Sequence, residues 1–188
     1  NLMMCLVFTT EMRTLQGTYP LLMQQIEGHP APLPLALLGL QKNENLFLDE
    51  SDLGWRTETI PLMMQKGPFY IAKEQDATGV TRNVIALDES HPKLSLESGE
   101  RLFSDAGGYS DHLERIIGLL ETIEASHPHT LEFSATLDEL GLITPLDFKC
   151  TLNDGSAHTL TGFLGVDEER LQRLPEDTLS SLHQKGFL

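Results

Sequence analysis

Apolar residues in the first half of the chain come in short runs that stop at proline, glycine or clustered polar residues. That is the pattern of strands and turns rather than of long helices. Leu33-Pro34-Leu35-Ala36-Leu37-Leu38-Gly39-Leu40 follows Pro30 and Pro32 and predicts a strand. Asn45-Leu46-Phe47-Leu48 predicts a second, and residues 55–60 alternate large and polar side chains as a half-buried third. Between these two lies Asp49-Glu50-Ser51-Asp52, whose side chains readily bond nearby backbone, so the cluster reads as a turn. Pro61 opens a helical turn over 61–65. Residues 69–72 and 84–87 predict strands on either side of the polar loop 74–83, and 94–102 predicts one or two short strands around Ser98-Gly99.

The period changes after Gly107-Gly108. Leu113, Ile116, Ile117, Leu120 and Ile123 recur at helical spacing behind a Ser110 or Asp111 cap, predicting a helix over 111–125. His127-Pro128-His129 is expected to break it. Thr130 then caps a second helix that carries Leu131, Phe133, Leu137 and Leu140 and stops at Gly141. Leu146, Phe148, Cys150 and Leu152 alternate with polar residues, Asn153-Asp154-Gly155-Ser156 predicts a hairpin turn, and 159–166 returns. The tail, 167–185, reads as helix in two pieces divided at Leu174-Pro175, with Asp167 capping the first.

These elements predict an α+β fold. A single domain over 1–188 has a mainly antiparallel β-sheet, built from the first half plus the 146–166 hairpin, packed against a helical pair and C-terminal helices. The 188 residues suffice for one domain with a proper core. The chain opens at Asn1 and stops, still apolar, at Gly186-Phe187-Leu188, so the domain is expected to be cut short at both ends.

Charge narrows the partners. With 28 acidic against 13 basic residues the net charge is −15, which repels phosphate backbones and anionic lipid. Nucleic-acid binding is therefore not expected. No run reaches the length of a membrane span, and the apolar residues 2–8 lack a basic flank and cleavage site. Neither membrane insertion nor export is expected, which leaves a cytoplasmic protein or one associated with the cell envelope. Cys5 and Cys150 share no metal-ligand spacing and read as two buried thiols.

Little of the chain carries chemistry. His127 and His129 flank Pro128 at a corner where exposed polar residues are ordinary, so no metal is expected. Asp88-Glu89-Ser90-His91 holds the residue types of a triad, but neighbours on one strand end cannot fold onto one another as a triad requires. Gly107-Gly108 lacks the pattern of a phosphate loop, and no cofactor is expected. No catalytic residue is assigned. Trp55, Met63 and Met64 are the candidate binding surface, weighed against the simpler reading of all three as core.

The order of segments resembles the bacterial SapC family. The matching pieces are Tyr19-Pro20-Leu21-Leu22, Pro34 to Leu40, Glu44-Asn45-Leu46-Phe47-Leu48-Asp49, Trp55, Ile60-Pro61 and Gly67-Pro68-Phe69. They continue with Leu87-Asp88-Glu89-Ser90, Gly99-Glu100-Arg101-Leu102-Phe103, Asp154-Gly155 and Gly162-Phe163-Leu164-Gly165-Val166-Asp167-Glu168-Glu169-Arg170-Leu171. The chain departs from the family at Ser104-Asp105-Ala106-Gly107-Gly108 and at Gln65-Lys66. The resemblance implies association with a bacterial surface layer, or with halogenase-like and oxygenase enzymes encoded nearby. It supplies no catalytic residues. The expected function is a non-catalytic interaction or accessory protein with a protein partner, able to form a homo-oligomer. Its rivals are a small-molecule or peptide binding module, a hydrolase using dispersed carboxylates and histidines, and a structural surface-layer subunit.

Overall fold

The computed structural model describes residues 2–49, 54–76, 78–153 and 155–188. In chain order the elements are β1 (Met4–Leu6), α1 (Thr9–Leu15), β2 (Leu21–Gln24), β3 (Leu33–Leu37), α2 (Leu62–Gln65), β4 (Phe69–Gln75) and β5 (Thr81–Leu87). They continue as α3 (Asp111–Glu139), β6 (Ile143–Thr151), β7 (Ala157–Val166), α4 (Glu168–Gln172) and α5 (Glu176–Gln184). The chain forms two compact units, one of Asn1–Pro61 with Ser126–Leu188 and the other of Leu62–Ala125.

The first unit is built on a five-stranded antiparallel sheet in the order β1-β3-β2-β7-β6. Side chains alternate along a strand, so the neighbours Leu22 and Met23 on β2 serve different cores. Leu22 packs with Leu37, Leu160 and Phe163. Met23 packs with Leu137 of α3 and with Leu142, and Phe133, Leu164, Leu171 and Leu174 close around them. With both faces covered, β3 is buried at every position. Pro34 survives in this interior strand because β1 is short. It lies opposite Val7, just past the end of β1, and its carbonyl accepts the Val7 N–H at 3.1 Å, so its missing donor costs one ladder bond.

A bulge lets the β6–β7 hairpin serve the same core twice. Leu146 faces Phe163 while Phe148 faces Leu160, which leaves one extra residue on β7. Leu160 and Phe163, three apart, would otherwise point to opposite faces. Gly162, at φ +82°, takes up the extra residue in a conformation that other side chains rarely adopt. β6 forms one edge of the sheet and carries Pro145 close to this irregularity.

The second unit pairs β4 with β5 as an antiparallel hairpin. Two strands alone are marginal in water. Here Phe69 packs with Leu113, Ile116 and Leu120 of α3, supported by Ile71, Leu87 and Leu102.

The α+β class, the mainly antiparallel pairing, the C-terminal hairpin and the two tail helices are as expected. Of the first-half strands in the main sheet, however, only β3 is an expected one, and β4 and β5 pair apart from that sheet. Asp167 caps α4 by accepting the Arg170 N–H at 2.9 Å. The break at His127-Pro128-His129 is a correction: α3 is one continuous helix with Pro128 inside it. Proline removes one backbone bond and crowds the preceding turn, at a cost of about 3 kcal/mol. Tertiary contacts offset it. Buried Thr130 donates its hydroxyl to the Ser126 carbonyl at 2.9 Å and accepts the Thr9 N–H at 3.2 Å. Thr130 thus joins α1 to α3 rather than capping a second helix.

Three strand expectations also change. Residues 45–48 and 55–60 contribute only an isolated bridge, Leu48 to Trp55, with the Arg56 N–H donating to the Phe47 carbonyl at 2.8 Å. This stretch is held through Tyr19, whose ring meets Phe47 at 4.5 Å with a tilt of 55° and whose hydroxyl donates to the Thr59 carbonyl at 2.6 Å. Residues 94–102 form bends and irregular backbone. Of the expected turn at Asp49 to Asp52, residues 50–52 lie outside the described residues. The Asp49 N–H donates to the Gly54 carbonyl at 2.9 Å across that gap. Both cysteines are free, but only Cys5 is buried and Cys150 is half-buried, a correction to the two buried thiols.

Candidate functional site

The second unit carries an open cleft of about 580 Å³ where the chain enters α3. Its walls come from a tight loop. The Gly107 N–H returns to the Ser104 carbonyl at 3.1 Å, the Ser104 N–H reaches the Gly108 carbonyl at 3.1 Å, and the Ser104 hydroxyl reaches the Gly107 carbonyl at 2.7 Å. Gly107 and Gly108 sit at φ +84° and +92°, so the reversal needs glycine at both. Phe103 and Tyr109 are bridged across it, their ring centres 6.3 Å apart and tilted by 48°.

Alternation sorts the neighbours. Leu102 packs into the core with Phe69 and Leu113. Ser110 donates its N–H to the Leu102 carbonyl at 3.1 Å and accepts the Leu113 N–H on its hydroxyl at 3.2 Å, capping α3. Phe103 and Tyr109 point the other way and remain 61% and 58% exposed. Two aromatic rings fixed side by side in solvent are an apolar patch without a fold-internal use.

Charged side chains complete the lining. His112 Nδ1 lies 2.7 Å from Glu100, and the Arg115 guanidinium reaches the same carboxylate at 3.2 Å. Arg101 pairs with Asp105. Asp111, in the first turn of α3, also lines the cleft and has no ion-pair or hydrogen-bond partner among the described residues. These pairs are exposed, and each contributes little to stability.

The sequence-based candidates lie elsewhere. Trp55 is half-buried in the first unit at its bridge to Leu48, while Met63 and Met64 are half-buried on α2 of the second. None of the three lines the cleft. Asp88-Glu89-Ser90-His91 closes on itself as a turn: Asp88 accepts the Ser90 N–H and hydroxyl at 3.0 and 2.7 Å, and His91 Nδ1 accepts the Lys93 N–H at 3.2 Å. The Ser90 hydroxyl holds the Asp88 carboxyl below its usual range. Among the described residues no group of three or more His, Cys, Asp or Glu is placed to hold a metal.

A hydroxyl–imidazole pair does form, from residues the sequence keeps far apart. Thr9 Oγ1 lies 2.6 Å from His129 Nδ1, and His129 Nε2 lies 3.1 Å from the Lys185 carbonyl. A carbonyl only accepts, so the proton sits on Nε2 and the Thr9 hydroxyl donates to Nδ1. The ring also meets Phe187 edge-on at 5.1 Å. His129 therefore ties α1 and the C-terminal residues to α3, a positional role.

The sequence reading missed Phe103 and Tyr109. Their signal was present as two aromatics flanking a Ser-Asp-Ala-Gly-Gly turn, a spacing that puts both on one side of a hairpin.

Among the described residues no helix is long and apolar enough to cross a membrane. No curated protein matches the chain, and no solved structure does. The family model for SapC matches residues 1–188, the whole sequence given. The chain belongs to the SapC family.

Proposed function

We propose that this SapC-family protein is a non-catalytic accessory protein that works by binding a protein partner, either a surface-layer component or a modification enzyme encoded nearby. The observation that carries the reading is the Phe103–Tyr109 pair, held on a tight turn with both rings exposed beside an open, charged cleft. Aromatic and arginine side chains dominate the energetics of protein interfaces, and Arg101 and Arg115 flank the rings here. Trp55 on the first unit, and separately Met63 and Met64 on the second, are retained as secondary contact candidates. The setting proposed is the cytoplasm or the inner side of the envelope.

The test is affinity capture from the host lysate with the tagged full-length protein, alongside the double variant Phe103→Ala/Tyr109→Ala. A single stoichiometric partner that survives moderate salt with the native chain and is lost with the variant supports the reading. Recovery of this protein alone from both cytosolic and envelope fractions overturns it.

A further inference from the structure

We infer that the Phe103–Tyr109 cleft receives a cationic side chain, arginine or lysine, presented by an exposed basic segment of the partner protein. The inference rests on the accessory reading above and adds the chemistry of what is bound.

Three observations converge on a cation. The faces of aromatic rings carry partial negative charge and attract cations set over them. Both rings are more than half exposed, and among the described residues no protein cation lies over either: the one such contact among those residues is Lys185 over Phe187. The cleft's own cations are already engaged, Arg101 by Asp105 and Arg115 by Glu100, whose carboxylate also meets His112 Nδ1. The remaining formal charge in the lining is the Asp111 carboxylate, which has no partner among the described residues. An incoming guanidinium or ammonium gains both ring faces and that carboxylate without breaking an existing pair.

The opposite choice fits worse. An anion would have to displace Glu100 from His112 and Arg115, and it would approach a chain of net charge −15. That field accelerates the arrival of basic partners and slows acidic ones.

The experiment titrates the isotope-labelled full chain with three blocked pentapeptides, Gly-Arg-Gly-Arg-Gly, its citrulline counterpart and its glutamate counterpart, following backbone amide resonances. The arginine peptide should shift resonances of residues 100–115 and bind at least about threefold to fivefold more tightly than the neutral citrulline peptide. Asp111→Asn should weaken it several-fold, Phe103→Ala/Tyr109→Ala should abolish the shifts, and added salt should weaken binding. Equal binding of the citrulline or glutamate peptide, shifts mapping outside the cleft, or no binding overturns the inference. So does unchanged affinity in Asp111→Asn, a surface substitution whose retained spectrum would verify its fold. If the arginine peptide fails while the aromatic double variant still loses the captured partner, the cationic chemistry falls and the accessory reading stands. If partner capture is indifferent to the double variant, the cleft is not the docking site and the cationic inference falls, while a protein partner bound elsewhere leaves the accessory reading standing.

Discussion

Thr9 and His129 lie 120 residues apart in sequence and share a hydrogen bond of 2.6 Å, the shortest of the contacts that seat α1 on α3. Thr10 and Ser126 add a hydroxyl pair at 3.0 Å, and the Thr9 N–H reaches Thr130 at 3.2 Å. A polar seam of this kind specifies one docking of the two helices, because buried Ser126 and Thr130 and half-buried Thr9 and His129 would otherwise lose partners. His129→Ala is expected to cost about 2 kcal/mol, combining the lost hydrogen bonds with the lost Phe187 ring contact. Thr9→Val should cost about 1 kcal/mol, and the double variant less than the sum. Urea denaturation of all four proteins measures this. Strict additivity would mean the pair is not coupled.

Pro128→Ala should stabilise the protein. Alanine restores the backbone donor and relieves the crowding at the preceding turn, and Pro128 is exposed, so no packing is lost. A gain of about 1–2 kcal/mol corresponds to a Tm higher by about 2–8 °C in a chain of this size. A lower Tm would show that the proline shapes α3 for its contacts with α1.

The two thiols should separate by reactivity. Burial, reinforced by the charge of Glu11, raises the Cys5 pKa from 9.0 to about 12. Cys150 is half-buried on an edge strand. Iodoacetamide at pH 8 should label Cys150 in the native protein and reach Cys5 only after denaturation, as read by mass spectrometry. The raised pKa also sets a pH dependence. The stability that Cys5 contributes is fully present below about pH 9, and it is lost as pH rises from there towards about 12, because only the unfolded chain ionises freely. Cys5→Ala should flatten that alkaline decline in a denaturation series, and an unchanged slope would contradict the assignment.

Gly162→Ala tests the bulge. A Cβ at Gly162 would meet no atom within 4 Å, so the whole cost is backbone strain at φ +82°, about 1–2 kcal/mol. Thermal melting measures it. A neutral result would mean that the hairpin has another way to turn both Leu160 and Phe163 inward.

Legibility in the sequence followed how local each determinant was. The β6–β7 hairpin, the helical period over 111–125 and the Asp167 cap are written in neighbouring residues, and all were readable. α1 was not, since Thr9-Thr10-Glu11-Met12-Arg13-Thr14-Leu15 has weak helical preference and owes its place to Ser126, His129 and Thr130. Pro128 misled for the same reason: a strong local breaker yielded to distant contacts. The strands expected at 45–48 and 55–60 have the right alternation, but only the Leu48–Trp55 bridge forms between them. At the cleft the turn residues were visible while the partnership of Phe103 with Tyr109 was not, because which ring ends up outside depends on Leu102 finding the Phe69 core.

One consequence of β6 reaches beyond the folded molecule. An open sheet edge is a template on which other chains can add strands and grow into fibres. β6 interrupts that template with Pro145, which offers no donor, and with the irregular register between Leu146 and Phe148. Lys149 adds a charge that incoming strands would have to desolvate. The opposite edge, β1, is only three residues long. Both borders of the sheet are thus poor seeds for amyloid-like growth, a safeguard for a chain whose interior strand β3, taken alone, is wholly apolar.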